Sequence, residues 1–171
     1  MSWFKKSAVE TKTVPGAQES ESRISAILSQ GAIKLNMEAT DKEEVFEELV
    51  DLLVQTGGVQ DREAALSALR KREALMSTGI GNGVALPHGK HESITGLVAA
   101  LGVSQRGVDF DCPDGKPAHL VFLLLARTDR PGPHIQALAE IAQLVQSEGF
   151  TKRIMTVKSP ADVLDLIRAE E

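Results

Sequence analysis

The chain has 171 residues and a mass of 18.4 kDa, a size that suits a single domain. Its 19 Lys and Arg and 24 Asp and Glu give a net charge of −5, which argues against a broad nucleic-acid-binding surface. Cys112 is the single cysteine, so an internal disulfide and a multi-cysteine zinc site are excluded. No apolar run approaches the ~20 residues of a membrane helix, and the N-terminus lacks the apolar stretch of a signal peptide. We therefore expect a cytoplasmic protein without membrane insertion.

The N-terminal residues differ in composition from the rest of the chain. Residues 1–21 are dominated by Ser, Thr, Glu, Gln, Gly and Pro, which bury too little apolar surface to offset the entropy of ordering. We predict a flexible tail over residues 1–21 and one folded domain over residues 22–171. The tail begins with an apolar and basic tip at residues 3–6, which suits either contact with a membrane surface or a partner, or a frayed chain end.

Hydrophobic periodicity predicts helices in the first half of the domain. One helical face lies at residues 24–28, and alternation at residues 33–37 predicts a strand. Residues 40–43 match a capping box, with a wide apolar helical stripe behind it that ends at residues 57–58. Asp61 can cap a further helix that runs to about residue 75.

The second half begins with a glycine-rich segment and continues with strands. The sequence STGIGNG excludes a helix and predicts a loop over residues 77–83. Three apolar runs predict buried strands, at residues 84–86, 97–103 and 119–126. Two helices follow, one closed by Gly149 and one that starts at Ser159. This order predicts an α/β fold, a mixed β-sheet flanked by helices in a single domain.

Two of the four histidines stand where chemistry is commonly found. His88 follows a buried strand and Pro87, and strand ends in α/β proteins often present reactive side chains. Its unperturbed pKa lies near cellular pH, yet a structural role fits equally well. His134 stands in the first turn of a helix, where free backbone N–H groups favour an anion, although a surface histidine is an alternative.

Other patterns give weaker signals. His91 is expected to be solvated, and His119 to point outward or to hydrogen-bond locally. No HExxH motif or ligand spacing predicts a metal site. Residues 79–83 read GxGxG before a strand, the reverse of a dinucleotide fingerprint, so no cofactor is predicted. They form either a plain loop or one that offers N–H groups to phosphate. Arg72 either binds phosphate oxygens through its guanidinium or is a solvated side chain at the end of a helix.

A longer segment carries a family resemblance. Residues 71–90, KREALMSTGIGNGVALPHGK, resemble the active-site segment of bacterial phosphotransferase-system (PTS) IIA proteins of the mannitol/fructose type, PTS EIIA type-2. The nitrogen-regulatory branch, whose segment also reads STGIGNG before PHGK, is the most similar. The resemblance extends over residues 23–169. It implies the same mixed sheet flanked by helices.

The resemblance also implies site residues and a reaction. His88 matches the histidine that accepts a phosphoryl group from an HPr-like phosphohistidine carrier, which makes the chain a phosphohistidine phosphotransferase. His134 matches the second active-site histidine, Arg72 the phosphate-binding arginine, and Thr78 a hydroxyl donor to the phosphate. We expect the donor to dock on an exposed apolar rim, with the candidates Met76, Ile80 and Leu86.

Two roles in phosphoryl transfer remain open at this point, beside a non-catalytic structural or metal-binding protein that shares only the fold. A nitrogen-branch regulatory protein would bind a kinase or transporter differently in its two forms. A sugar-specific IIA component would instead pass the phosphoryl group to a IIB protein for uptake. The sequence shows no fused IIB or IIC segment, which favours regulation.

Overall fold

Residues 23–147 and 149–171 are described by a computed structural model of the chain. The tail predicted over residues 1–21 lies outside them. Within the described residues, a mixed six-stranded sheet packs against helices, so the predicted fold class is confirmed. No helix in this part of the chain is both long enough and apolar enough to cross a bilayer.

The sheet is built around one buried strand. Strand β6 pairs antiparallel with β5 on one side and parallel with both β3 and β4 on the other, and the order along the sheet is β1-β5-β6-β3-β2. The run VFLLLA within β6 is fully buried, as its composition predicts for a central strand. The strands are β1 (Ile33–Lys34), β2 (Gly79–Gly81), β3 (Val84–Ala85), β4 (His88–Lys90), β5 (Leu97–Val108) and β6 (Ala118–Ala126).

Helices α2, α3 and α6 begin at residues whose side chains cap them. The predicted caps of α3 and α6 are confirmed, since Asp61 accepts from the N–H of Ala64 and Ser159 from that of Asp162. The capping box predicted over residues 40–43 is wrong by one residue, because Asp41 caps α2 by accepting from Glu44. The helices are α1 (Ile24–Ile27), α2 (Lys42–Gln55), α3 (Arg62–Leu75), α4 (Pro131–Gln146), α5 (Phe150–Ile154) and α6 (Pro160–Glu170), with a 3-10 turn at Gln30–Ala32.

The glycine-rich segment forms part of a hairpin, so the predicted loop over residues 77–83 is wrong at residues 79–81, which form β2. Strand β2 pairs antiparallel with β3, and Asn82 and Gly83 turn the chain at positive φ values of 56° and 79°. Position 79 has no room for a side chain, because a Cβ on Gly79 would lie 2.6 Å from Cys112 Sγ. Strand β1 is also shorter than the predicted strand over residues 33–37.

The sheet continues after Pro87, beyond the strand predicted at residues 84–86. The Pro87 carbonyl accepts from Leu124 at 3.0 Å, and β4 then pairs with the end of β6. Gly89 lets this strand approach α3 closely, because a Cβ there would lie 2.9 Å from the Ala68 carbonyl carbon. This contact brings the last turn of α3 beside His88.

Candidate active site

An arginine and a histidine meet where α3 ends and β4 begins. Arg72 Nε donates to Nε2 of His88 at 3.2 Å. Its Nη1 donates to the carbonyl of Met76 at 2.8 Å, so the guanidinium is also tied to the end of its own helix. The predicted partners Arg72 and His88 are therefore in direct contact, and the alternative of a merely solvated helix end does not apply to Arg72.

The tautomer of His88 follows from its contacts. Nδ1 lies 2.8 Å from the Leu86 carbonyl, which can only accept, so Nδ1 carries the proton. Nε2 then holds the lone pair and accepts from Arg72. Burial lowers the pKa of His88 and the charge of Arg72 lowers it further, against the opposing effects of the Leu86 carbonyl and Glu73. His88 is therefore a neutral imidazole at pH 7.

His134 lies beside this pair on the first turn of α4. The ring centroids of His88 and His134 are 5.4 Å apart. The predicted alternative of a surface histidine is wrong, since His134 is only 3% exposed. Both of its ring nitrogens are buried without a hydrogen-bond partner in the described part of the chain. Burial, with repulsion from His88 once that ring is protonated and from Lys90, lowers the pKa of His134 to about 4.

Unpartnered buried nitrogens are uncommon, because a polar group without a hydrogen bond costs about 1–3 kcal/mol. A neutral imidazole offers one donor and one acceptor. His134 therefore retains an unused N–H donor in a site that already contains a guanidinium. The arrangement suits a ligand with several acceptor oxygens.

Thr78, the fourth predicted site residue, is placed against Glu73. Its hydroxyl donates to Glu73 Oε2 at 2.5 Å, and its N–H donates to the two carboxylate oxygens at 3.1 and 3.2 Å. Lys42 Nζ lies 2.9 Å from Glu73 Oε1. The Thr78 hydroxyl is thus committed to a neighbour. Sequence reasoning missed Glu73 and Lys42, because only the fold brings the start of α2 to the end of α3.

Exposed apolar side chains lie close in sequence to the site residues Arg72, Thr78 and His134. The apolar rim, as we call it, consists of Leu75, Met76, Ile80 and Ile135. These are four of the five large apolar side chains that are exposed in the described part of the chain, and Leu75 and Ile135 are exposed by 83% and 63%. The expectation of exposure is confirmed for Met76 and Ile80 and is wrong for Leu86, which is buried at 7%.

The remaining histidines are bonded elsewhere. His91 Nδ1 lies 2.7 Å from Ser93 Oγ, and His119 Nδ1 lies 2.9 Å from the Ser104 carbonyl. His91, expected to be solvated, is instead partly buried and bonded to Ser93, whereas the contact of His119 agrees with one of its two expected settings. Within residues 23–147 and 149–171, no group of three His, Cys, Asp or Glu side chains could hold a metal ion.

Comparison with known proteins identifies the family. The model of the phosphoenolpyruvate-dependent sugar phosphotransferase system, EIIA 2, matches residues 26–170. The chain belongs to this family. It is a PTS IIA domain, as the resemblance of residues 71–90 predicted.

Three relatives show how widely the IIA domain is used. The fructose-specific EIIABC component of Bacillus subtilis is 37% identical over 87% of the chain, which spans only 24% of that protein's length. The nitrogen regulatory protein IIA-Ntr of Neisseria meningitidis has 35% identity and a TM-score of 0.79, covering 84% of this chain and 98% of that one. The mannitol IIA of Escherichia coli, solved in complex with phosphorylated IIB, has 26% identity and a TM-score of 0.71, covering 82% and 96%.

Proposed function

We propose that this IIA domain accepts a phosphoryl group on Nε2 of His88 from the phosphohistidine of an HPr-like carrier protein. One observation carries the proposal. The Leu86 carbonyl holds the proton on Nδ1, which leaves the lone pair of Nε2 beside the Arg72 guanidinium. A neutral imidazole with its lone pair directed toward a cation is suited to attack an anionic phosphoryl group.

The transfer exchanges one nitrogen–phosphorus bond for another. The Nε2 lone pair of His88 forms a bond to phosphorus, and the bond between phosphorus and the donor nitrogen breaks. The electron pair of that bond stays on the donor nitrogen. His88 keeps its proton on Nδ1, bonded to Leu86, and the donor ring, protonated on its other nitrogen, leaves as a neutral imidazole, so the step needs no proton transfer. Donor and acceptor are both imidazoles, which makes the reaction readily reversible.

Arg72 and His134 stabilise the charge of the moving group. Phosphoryl transfer passes through a loose transition state with charge on the equatorial oxygens, so positioning and electrostatics supply most of the catalysis. The Arg72 Nε–H that now contacts Nε2 is free to move to a phosphoryl oxygen once that lone pair is used. The unpartnered N–H of His134 gains an acceptor at the same time.

The apolar rim is the docking surface for the donor in this proposal. A phosphohistidine protein must bring its own ring against His88, and exposed Leu75, Met76, Ile80 and Ile135 offer apolar contact around that point. The E. coli mannitol IIA was solved with phosphorylated IIB. In a sugar-specific IIA component, which is the second candidate role, a IIB protein would use the same rim for onward transfer.

We assign the chain a regulatory role in the nitrogen branch. The STGIGNG segment and the structural likeness to IIA-Ntr support this role. In its phosphorylated and free forms, the protein would bind a regulated kinase or transporter with different affinity. A sugar-specific IIA component is the second candidate, because a fructose-specific EIIABC protein is 37% identical. The buried free Cys112 suits the reducing cytoplasm in either role.

Labelling tests the site. The protein is incubated with enzyme I, an HPr-like carrier and phosphoenolpyruvate that carries labelled phosphate. We expect acid-labile label on the wild type and on His119→Ala, and none on His88→Ala. Label retained on His88→Ala contradicts the site assignment, and an unlabelled wild type contradicts the function.

Onward transfer separates the two roles. The labelled protein is mixed with candidate IIB proteins and the loss of its label is followed. We expect the label to remain on the regulatory protein. Rapid transfer to a fructose- or mannitol-type IIB protein supports the sugar-specific role instead.

A further inference from the structure

Glu73 lies at the centre of a buried polar cluster next to the site. Its carboxylate, only 9% exposed, accepts from the Thr78 N–H, the Thr78 hydroxyl and Lys42 Nζ. These partners come from three elements, since Lys42 opens α2, Glu73 lies in the last turn of α3, and Thr78 precedes β2. The carboxylate therefore joins the start of α2 to the connection between α3 and β2.

Lys42 stands at an unusual position for a cation. It is the first residue of α2, where the positive end of the helix dipole disfavours a lysine. It is held by Glu73 at 2.9 Å and by Asp111 at 2.7 Å, and its ammonium lies 5.6 Å from the centroid of the Phe110 ring. Lys42 contributes to the Glu73 cluster rather than to the capping of its own helix.

The cluster adjoins the guanidinium that contacts His88. Arg72 precedes Glu73, and its Nη1 donates to Met76 in the connection that Glu73 closes through Thr78. The chain between Met76 and Thr78 is thus held at one end by Arg72 and at the other by Glu73. If Thr78 were released, the Met76 carbonyl that orients the guanidinium would lose its fixed position.

We propose that Glu73, supported by Lys42 and Thr78, is a positioning residue that fixes the Arg72 guanidinium against His88 for phosphoryl transfer. The proposal rests on the proposed function and adds a role for residues outside the contact with the phosphoryl group. Thr78 acts in it through Glu73, and its hydroxyl is not a ligand of the phosphate.

Single-turnover kinetics test the proposal. Glu73→Gln preserves the shape but loses one acceptor oxygen and the charge that holds Lys42. We expect its rate of phosphoryl acceptance from the labelled carrier to fall roughly tenfold, because small misplacements of a positioned group are costly. The concentration of carrier that gives half the maximal rate should not change. Lys42→Ala should lose part of the rate, and Lys42→Arg should restore it.

Glu63→Gln is the matched control. Glu63 lies on the same helix, and its carboxylate is 75% exposed and pairs with Arg62 at 3.0 Å. We expect the wild-type rate from this variant. All rates are measured at a temperature where thermal unfolding shows each variant to be folded, so a loss of fold cannot pass for a loss of positioning.

A double-mutant comparison separates positioning from a general structural role. If Glu73 acts through Arg72, the Glu73→Gln change should cost nothing further in an Arg72→Ala background. The same tenfold loss in that background, or a Glu73→Gln rate within twofold of the wild type, overturns the proposal.

A measurement on the free protein keeps the inference independent of the proposed function. Hydrogen exchange of the Arg72 Nε–H, followed by NMR, reports the bond to His88 without any donor. We expect it to be several-fold faster in Glu73→Gln and unchanged in Glu63→Gln. Unchanged exchange in Glu73→Gln contradicts the positioning role. An unlabelled wild type with the expected exchange contradicts only the proposed function.

Discussion

A histidine lies near each end of the central strand β6, and the two have similar local settings. Near its end, Leu124 pairs with His88, whose Nδ1 lies 2.8 Å from the Leu86 carbonyl. Near its start, His119 Nδ1 lies 2.9 Å from the Ser104 carbonyl. Only the first histidine also accepts from a guanidinium and lies beside a second imidazole. A carbonyl that fixes the tautomer is common to both ends, and the chemistry depends on what surrounds the other nitrogen.

Removing the guanidinium should give the largest change. Arg72→Ala takes away the charge nearest to Nε2 of His88, and loss of one such donor typically lowers a rate by about 10²–10³-fold. We expect a loss of this size in single-turnover phosphoryl acceptance. Arg106→Ala, on β5 toward the His119 end, is the matched control and should accept at the wild-type rate. Equal losses of rate in the two variants would mean that the two ends of β6 do not differ in their contribution to phosphoryl acceptance.

The unpartnered ring of His134 should make the fold sensitive to acid. Its folded pKa of about 4 lies below the ordinary 6.5, so the unfolded chain binds the proton first as the pH falls. Protonation of His134 therefore does not lower the free energy of unfolding above pH 6.5. As the pH falls further, the unfolded chain is favoured, and the free energy of unfolding is lower by about 3 kcal/mol near pH 4.

His134→Phe removes this titration and both unpartnered nitrogens. We expect the variant to be at least as stable as the wild type at pH 7, and clearly more stable at pH 4.5, by urea unfolding. His91→Gln removes a histidine outside the site and should follow the wild-type pH dependence. A His134→Phe curve parallel to the wild type would show that His134 is not the titrating group.

Gly89, where β4 packs closely against α3, can be compared with Gly96, which is not crowded. A Cβ at Gly89 would lie 2.9 Å from the backbone of Ala68, whereas one at Gly96 would meet nothing within 4 Å. We expect Gly89→Ala to cost about 1–3 kcal/mol of folding free energy, as overpacking usually does. It should also slow phosphoryl acceptance, because the shift moves His88 away from Arg72. Gly96→Ala should change neither quantity, and equal effects on the two variants would place the origin elsewhere.

Local signals predicted much of the scaffold. The caps of α3 and α6 follow from single residues, Asp61 and Ser159, and the unbroken apolar run of β6 marks a central strand. The hairpin that begins with strand β2, Gly79–Gly81, was missed because its glycines were interpreted as loop residues. Gly79 is instead required by the close approach of Cys112, which comes from a distant part of the chain. Strand β4 was missed because Pro87 joins the sheet through its carbonyl alone.

The site was predicted only in part, and mostly through resemblance. Spacing singled out His88, but it left Arg72 and His134 open between functional and ordinary roles. The contacts that distinguish these roles join α3 to β4 and β4 to α4, and no local pattern encodes them. Thr78 differs from these residues, because its hydroxyl is committed to Glu73, only five residues earlier in the chain.

The smallest expected effect is a displacement of the pH dependence of the rate of phosphoryl acceptance. It depends directly on the contact between Arg72 and His88. Only neutral His88 can attack, and burial followed by the charge of Arg72 lowers its pKa below 6.5. The wild-type rate should therefore stay level from pH 8 to below 6.5 and fall as His88 takes up a proton. Arg72→Ala removes one of the causes that lower the pKa of His88, so the fall should begin at a higher pH than in the wild type. Because the carrier also titrates, both proteins are compared with the same donor, and only the displacement between their normalised profiles is interpreted. Superimposed profiles would show that the Arg72 charge does not act on the attacking nitrogen, and the contrast with His119 would then rest on packing alone.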